Sequence, residues 1–380
     1  MIRKKLKSCK KFCEIGEKCS KCNKDKCINC NPGYILEKGE CIINHSFKAV
    51  FQTEHLKENI ILINKEFTKD IVELIIDSEK VKPSYNYTFA KKGMHSVIML
   101  LNNECLETGK MMFYNESLIS INFTKKFETK NMLNMRGMFK DCRDLKYIDL
   151  SVFETNKVTD FSYMFDNCQS LNSIDLSNFN TKKAYDISYM FSSCTSLSKI
   201  SIGFFRTKNI IDMSGLFYGC SNLVSVDLTD FLSEKVKYMK YMFAECSSLK
   251  SIDITSLKTK NVNDISYMFK DCSSLENINL NKFQTYNVIN IEGLFMGCSK
   301  LTSLDLSNFE TLNVKKANKL FYGCDKLVKL DISSFKNINL TVNKELFDTN
   351  VKSVELTIDK KFYKDAKDII PSKWKVITTR

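Results

Sequence analysis

The chain has 380 residues, 43% of them apolar, with 57 Lys and Arg against 44 Asp and Glu. That is enough apolar chain for a sizeable core, and no apolar run approaches the roughly 20 residues of a membrane-spanning helix. The net charge of +13 is spread along the chain, and without zinc-finger histidines, RNP-type aromatics or a basic helix it does not indicate a nucleic-acid reader.

The first segment, residues 1–43, reads as a cysteine-rich module. Cys9, Cys13, Cys19, Cys22, Cys27, Cys30 and Cys41 fall in its first 41 residues, beside eleven basic and five acidic residues. The paired spacings Cys19/Cys22 and Cys27/Cys30 fit zinc knuckles, but the short connection between the pairs and the Asn31-Pro32-Gly33 turn favour a disulfide-rich module over zinc. Seven is odd, so one partner is missing, intermolecular or Cys105. Met1 to Ser8 is basic, but no apolar signal-peptide core follows it.

Residues 44–110 carry short apolar runs, FKAVF, IILI, IVELII, YNYTF and SVIMLL, broken by Pro83, Ser84 and Gly93. This pattern predicts a small antiparallel β domain docked on the element that follows and covering its first edge.

From residue 111 to 350 the chain repeats. Cys142, Cys168, Cys194, Cys220, Cys246, Cys272, Cys298 and Cys324 stand 26 residues apart, each with Phe three residues before and Leu three after. A fixed period of this size means a stacked solenoid. Within one unit Leu171, Ile174, Leu176 and Phe179 predict a strand with apolar side chains inward, and Ala184, Ile187, Met190 and Phe191 predict a short helical or 3₁₀ turn. The expected fold class is therefore an α/β solenoid, a leucine-rich-repeat-like right-handed coil with a parallel strand face. Residues 351–380 form its C-terminal cap.

Equivalent cysteines in a parallel ladder have parallel side-chain vectors, whereas a disulfide needs converging ones, so the eight repeat cysteines are expected to be buried, unreactive fillers. Two rows could bind ligands. The outward strand positions give acids at Asp149, Asp175, Asp227, Asp253, Asp305 and Asp331, interrupted by Ser201 and Asn279. Flanking Ser and Thr hydroxyls would offset their repulsion; a cation or polar-ligand track is the functional alternative. The turns just past the strands carry a basic edge with Lys157, Lys182, Lys183, Arg206 and Lys208, suited to anionic glycans or lipid headgroups or simply solvated. A third surface carries Tyr163, Tyr189, Tyr241 and Tyr267, equally readable as half-buried. No catalytic, cofactor or metal constellation is expected: His45, His55 and His95 all lie outside the repeats, no Gly-rich phosphate loop is present, and the acids recur uniformly. Sequons at Asn44, Asn86, Asn115, Asn122 and Asn339 permit glycosylation without implying it.

The repeated MFxxCxSLxxIDLSxFxT followed by VxxMSxMF resembles the BspA-type leucine-rich-repeat surface proteins, a mycoplasma-lipoprotein-type repeat also found in gut and oral bacteria and in protists. PSYNYTFAKKGMHSVIMLL, residues 83–101, resembles the β element that often precedes those repeats, and CxxCxxxxCxxCxxGYxLxxGxC resembles EGF-like or growth-factor-receptor modules of protist surface proteins. The resemblance implies a non-enzymatic, extracellular or cell-surface protein from a protist, binding host or self surface proteins or glycans, with no nucleic-acid partner. The alternative is an intracellular, cytoplasmic scaffold for protein partners whose N-terminal cysteines are reduced or hold zinc.

Overall fold

A computed structural model describes residues 19–379 except 24–25, 31–33, 38–39, 44, 102–106, 125–126, 203–204, 206, 230, 232, 340–342, 344, 348–350 and 352, with backbone only up to residue 45. At the N-terminus β1 (Cys19–Asn23) pairs antiparallel with β2 (Lys26–Cys30), and β3 (Tyr34–Glu37) with β4 (Glu40–Ile43). Cys19 stands opposite Cys30 and Cys22 opposite Cys27 in that backbone register. Cys9, Cys13 and the side chains of the other five cysteines of the module lie outside the described residues.

The β domain follows with β5 (His45–Thr53), β6 (Glu58–Ile61), β7 (Ile71–Ile76), β8 (Glu79–Val81), β9 (Asn86–Phe89) and β10 (Gly93–Leu101). It is antiparallel as expected: β10 lies between β5 and β7, and β8 flanks β7. Its other edge is continuous with the solenoid. β5 pairs antiparallel with β11 (Leu118–Phe123), the strand of the first coil, which pairs parallel with β12 (Tyr147–Asp149) of the next. The first coil's edge N–H and C=O groups are thus satisfied by the domain instead of being left open.

The repeats form a parallel β-solenoid of about nine turns. Among the described residues, eight successive parallel bridges join Thr108, Asn134, Asp160, Asp186, Asp212, Tyr238, Asp264, Asn290 and Lys316, each 26 residues from the last. Strands are short: β13 (Lys199–Ser201) pairs with β14 (Ser225–Asp227), and β15 (Ser303–Asp305) with β16 (Lys329–Ile332). β17 (Glu355–Asp359), α1 (Lys360–Ala366) and β18 (Lys375–Thr379) close the C-terminal end, with β18 parallel to β17 and Phe362 and Trp374 buried.

The helical half-turn of the α/β expectation is not found: among the described residues no repeat contains a helix, and α1 lies in the cap. The hydrogen bonds show why. From Phe161 to Asn167 alternate N–H groups leave the coil, Phe161 to Asp186, Tyr163 to Ser188, Phe165 to Met190 and Asn167 to Ser192, at 2.7–3.0 Å. The intervening Met164, Asp166 and Cys168 close turns on Phe161, Tyr163 and Phe165 at 3.1 Å. A helix would spend every N–H internally; here half of them bind the next coil. The alternation requires left-handed residues, and two columns supply them, one through Tyr163 (φ 59°) and Tyr189 (55°), the other through Asn167 (64°) and Ser193 (56°). Spacings of three and four in the apolar pattern therefore record a string of turns, not a helical face.

The core runs the length of the solenoid. Phe139, Phe165, Phe191, Phe217, Phe243, Phe269 and Phe295 stack ring on ring at 5.5–5.8 Å and within 16° of parallel. Each fully buried phenylalanine contributes about 2 kcal/mol by burial.

Candidate functional site

The eight repeat cysteines are buried free thiols, as expected. They also do something that a plain filler does not. Each Sγ donates to the carbonyl of the phenylalanine 29 residues earlier, one coil back, as in Cys168 to Phe139 (3.1 Å) and Cys220 to Phe191 (3.0 Å). Burial pushes the Cys142, Cys220, Cys272 and Cys324 thiols up to about 12 and the other four well above their ordinary value. The column is a set of thiol pins between coils, chemically quiet at neutral pH.

The acid row is where the strand alternation put it. Asp149, Asp175, Asp227, Asp253 and Asp305 are exposed and Asp331 is half-buried. In all six, Oδ1 accepts the backbone N–H two residues on, from Ser151, Ser177, Thr229, Thr255, Ser307 and Ser333, at 2.9 Å. These bonds hold the Asp149, Asp175 and Asp227 carboxyls below their ordinary range; for Asp253 the Thr255 hydroxyl contributes most. Ser201 Oγ donates to Asp227 Oδ2 at 2.9 Å. The acids thus organise the turn that follows each of them.

On the basic edge Lys157, Lys182, Lys183 and Lys208 are exposed; Arg206 lies outside the described residues. Lys157 donates to Asn131 and Lys235 to Asn209, each at 2.9 Å and one coil apart, while Asn209 and Asn287 donate to the Lys182 and Lys260 carbonyls at 2.9 and 2.8 Å. A shallow depression of about 380 Å³ lined by Ile211, Lys235, Lys237, Asn261, Asn263 and Asn287 lies on this edge.

A second acid column escaped the sequence reading. Asp160, Asp186, Asp212 and, past Tyr238, Asp264 are bridge residues of the coils, and each accepts the N–H of the serine two residues later at 2.8–2.9 Å. Burial, resisted by the Ser188 bonds, holds the Asp186 carboxyl above its ordinary range. Asp-x-Ser at residues 160–162, 186–188, 212–214 and 264–266, each just before Tyr-Met-Phe or Gly-Leu-Phe, was the available signal.

The four tyrosines are half-buried, and three of them, Tyr189, Tyr241 and Tyr267, line a second depression. The left-handed column reads Met111, Gly137, Tyr163, Tyr189, Gly215, Tyr241, Tyr267, Gly293, Lys319, all at φ 53–59°. Tyr163 stacks on Tyr189 (5.1 Å, 7°) and Tyr241 on Tyr267 (5.0 Å, 14°). A groove of about 500 Å³ beside them is lined by Tyr189, Tyr218, Tyr241, Glu245, Tyr267, Lys270, Met296 and Lys319. Tyr218 donates to Glu245 Oε1 at 2.6 Å, and Lys270 approaches the same oxygen at 3.5 Å and Asp271 at 2.7 Å.

One arrangement in the β domain has the distances of a nucleophile–base–acid set. Thr53 Oγ1 lies 3.2 Å from His95 Nε2, and His95 Nδ1 lies 2.7 Å from Asp77 Oδ2. Thr53 is fully buried, however, and its hydroxyl already accepts from Gly93 N–H (3.0 Å) and donates to the Lys91 carbonyl (3.0 Å). His95 stacks on Phe89 at 4.1 Å. The cluster ties β5, β10 and the turn after β7 together. Among the described residues no group of three or more His, Cys, Asp or Glu could hold a metal ion, and no helix is long and apolar enough to cross a membrane.

No curated protein and no solved structure matches the chain. Three overlapping segments, residues 107–201, 198–303 and 250–361, match a family described as "Mycoplasma protein of unknown function, DUF285". The matched span contains the repeats and only the start of the terminal cap, and it leaves out the cysteine-rich module and nearly all of the β domain. Over two thirds of its length, on the repeat that builds the solenoid, the chain belongs to this family.

Proposed function

We propose that the chain is a non-enzymatic display protein, secreted or held at a cell surface, whose solenoid presents its outer rows for adhesion to host or self surface proteins or glycans. The observation that carries this reading is the division of labour within the repeat. One set of side chains, Phe, Met, Leu and Cys, fills a continuous core, and the other recurs coil after coil as long exposed rows of the same chemistry. Such rows suit weak contacts repeated along an extended partner, since linked weak contacts gain avidity without any single strong site. Enzymes concentrate distinct groups in one pocket; the acids here are each engaged locally, in turns. The N-terminal cysteine-rich module serves as spacer or anchor in this reading.

The test is saturable binding of the purified, fluorescently tagged chain to intact cells, compared with two variants. One neutralises the strand face (Asp175, Asp227, Asp253 and Asp305 to Asn), and the other reverses charge at Lys157, Lys182, Lys183 and Lys208. Saturable binding weakened by either variant is the expected result. Binding that never saturates would overturn the reading.

A further inference from the structure

We propose that the depression on the basic edge at Lys235 and Lys237 seats one acidic sugar, uronate or sulfated, of an anionic glycan that runs along that edge. The inference deepens the display reading, and rests on it, by naming a ligand class for one stretch of the edge. Its basis is the set of side chains around about 380 Å³ of open surface: Ile211, Lys235, Lys237, Asn261, Asn263 and Asn287, with no acid among them. They stand in two columns. Ile211, Lys237 and Asn263 follow one another on successive coils, the Lys237 N–H bonded to the Ile211 carbonyl at 2.9 Å and the Asn263 N–H to the Lys237 carbonyl at 2.8 Å. Lys235 and Asn261 lie two residues before Lys237 and Asn263, and Asn287 continues their column on the next coil. The residues between the columns, Val236 and Val262, are fully buried, so the columns flank a floor of backbone.

The lining presents cations and acceptors together. Each asparagine spends an amide N–H on a backbone carbonyl: Asn261 on Glu234 at 2.5 Å, Asn263 on Asn287 at 3.1 Å and Asn287 on Lys260 at 2.8 Å. A carbonyl only accepts, so these bonds fix the orientation of each amide and leave its Oδ1 as an acceptor. Among the described residues no donor reaches any of the three Oδ1 atoms. Lys235 gives one of its three N–H bonds to Asn209 Oδ1 at 2.9 Å, which leaves two. Neither Lys235 nor Lys237 forms an ion pair among the described residues. The acids adjacent in sequence, Asp212, Glu234 and Asp264, do not line the depression, and Asp212 and Asp264 are held by the Ser214 and Ser266 N–H groups at 2.8 Å.

That combination selects the ligand. Two ammonium groups with no carboxylate beside them call for an anion, and three amide oxygens call for donors. An acidic peptide brings carboxylates but no hydroxyls, and a neutral sugar brings hydroxyls but no charge. An acidic sugar carries both on one ring, and Ile211, 39% exposed, offers an apolar contact to its C–H bonds. A nucleic-acid strand fits less well, because no aromatic side chain lines the depression to stack a base. On the coils around it Lys182, Lys183, Lys208, Lys258 and Lys260 are exposed and would meet the flanking units of the glycan.

A heparin hexasaccharide, a galacturonate hexamer, neutral maltohexaose and hexaglutamate would each be titrated into the full chain by calorimetry at low and high salt. Saturable binding of at least one acidic oligosaccharide is expected, weaker at high salt. Maltohexaose should not bind, and hexaglutamate should bind at least about threefold more weakly, for want of hydroxyls. Lys235→Gln with Lys237→Gln removes both charges from exposed side chains and should weaken the oligosaccharide at least about fivefold, the scale of two exposed charge contacts. The charge-matched pair Lys199→Gln with Lys329→Gln, exposed on the strand face, should change it less than about twofold. No saturable binding of either acidic oligosaccharide, equal losses in the two pairs of variants, or hexaglutamate bound as tightly as the oligosaccharides would overturn the proposal. Neither pair alters Lys157, Lys182, Lys183, Lys208 or the strand-face acids, on which the cell-binding test rests, so the two readings fail separately.

Discussion

Phe217→Ala tests whether the stacked rings are what couples one coil to the next. Phe217 has no exposed surface and lies between Phe191 and Phe243, 5.7 Å from each and within 16° of parallel. Removing a buried phenyl ring costs about 3–5 kcal/mol through lost burial and an unfilled cavity. In a solenoid that loss falls on two neighbouring interfaces instead of being shared across a globule. With an unfolding slope of about 3 kcal/mol per molar urea, a uniform transition would move down by about 1–1.7 M. The chain's single tryptophan, Trp374, sits in the C-terminal cap against Phe347 at 5.9 Å. Its fluorescence reports the far end of the solenoid, while far-UV circular dichroism reports the whole. The wild type should give one midpoint by both probes; Phe217→Ala should lower the dichroism midpoint and split it from the tryptophan midpoint. A shift below about 0.3 M with the two probes still coincident would refute continuous coupling through the phenylalanine column.

Cys220→Val removes the thiol donor to the Phe191 carbonyl while keeping apolar bulk, and should destabilise by about 1–2 kcal/mol in urea titration; an unchanged midpoint would return the column to plain filling. With the thiols buried and raised to about 12 or higher, alkylation of the repeat cysteines at pH 8 should proceed only as fast as unfolding exposes them; rapid labelling of the folded chain would contradict this. Asp186→Asn keeps the acceptor for the Ser188 N–H and places there the residue that Asn134 and Asn290 already supply in the same column. Because the folded Asp186 holds its proton more tightly than the unfolded chain does, its protonated form favours the native state below the unfolded value near 3.9, and that advantage is lost as pH rises through the folded value. The variant should therefore be more stable than the wild type at pH 7 and no more stable below about pH 4. Equal or lower stability at pH 7 would refute the burial penalty. The acid row runs the other way: Asp149, Asp175, Asp227 and Asp253 are lowered, so their contribution is present at neutral pH and fades as pH falls below about 4.

The 26-residue spacing of Phe and Cys was sufficient to read the solenoid, its inward face and the acid row, because a repeated side chain must occupy a repeated environment. The β domain was legible for the same reason that strands usually are, through short apolar runs bounded by Pro and Gly. What misled was the segment around Met190 and Phe191, where apolar spacings of three and one fit a helical turn equally well. The deciding information was the left-handed backbone at Tyr163, Tyr189, Asn167 and Ser193. None of these is glycine, so no sequence signal for positive φ was visible there. Gly215 and Gly293 in the same column carried that signal only once the register was known. The tyrosine groove was half legible: the repeat placed the four tyrosines on one surface, but their stacking and the lean of Tyr189 over Gly215 could not be read from it.

The most direct test of the display reading is quantitative thiol alkylation of the protein taken from its own cells, unfolded with and without reductant, with labels counted separately before and after residue 44. The account predicts that the eight repeat cysteines label without reductant while the seven N-terminal ones label only after reduction, as an oxidising compartment requires. Free labelling of all sixteen would place the chain among reduced, intracellular proteins and contradict display.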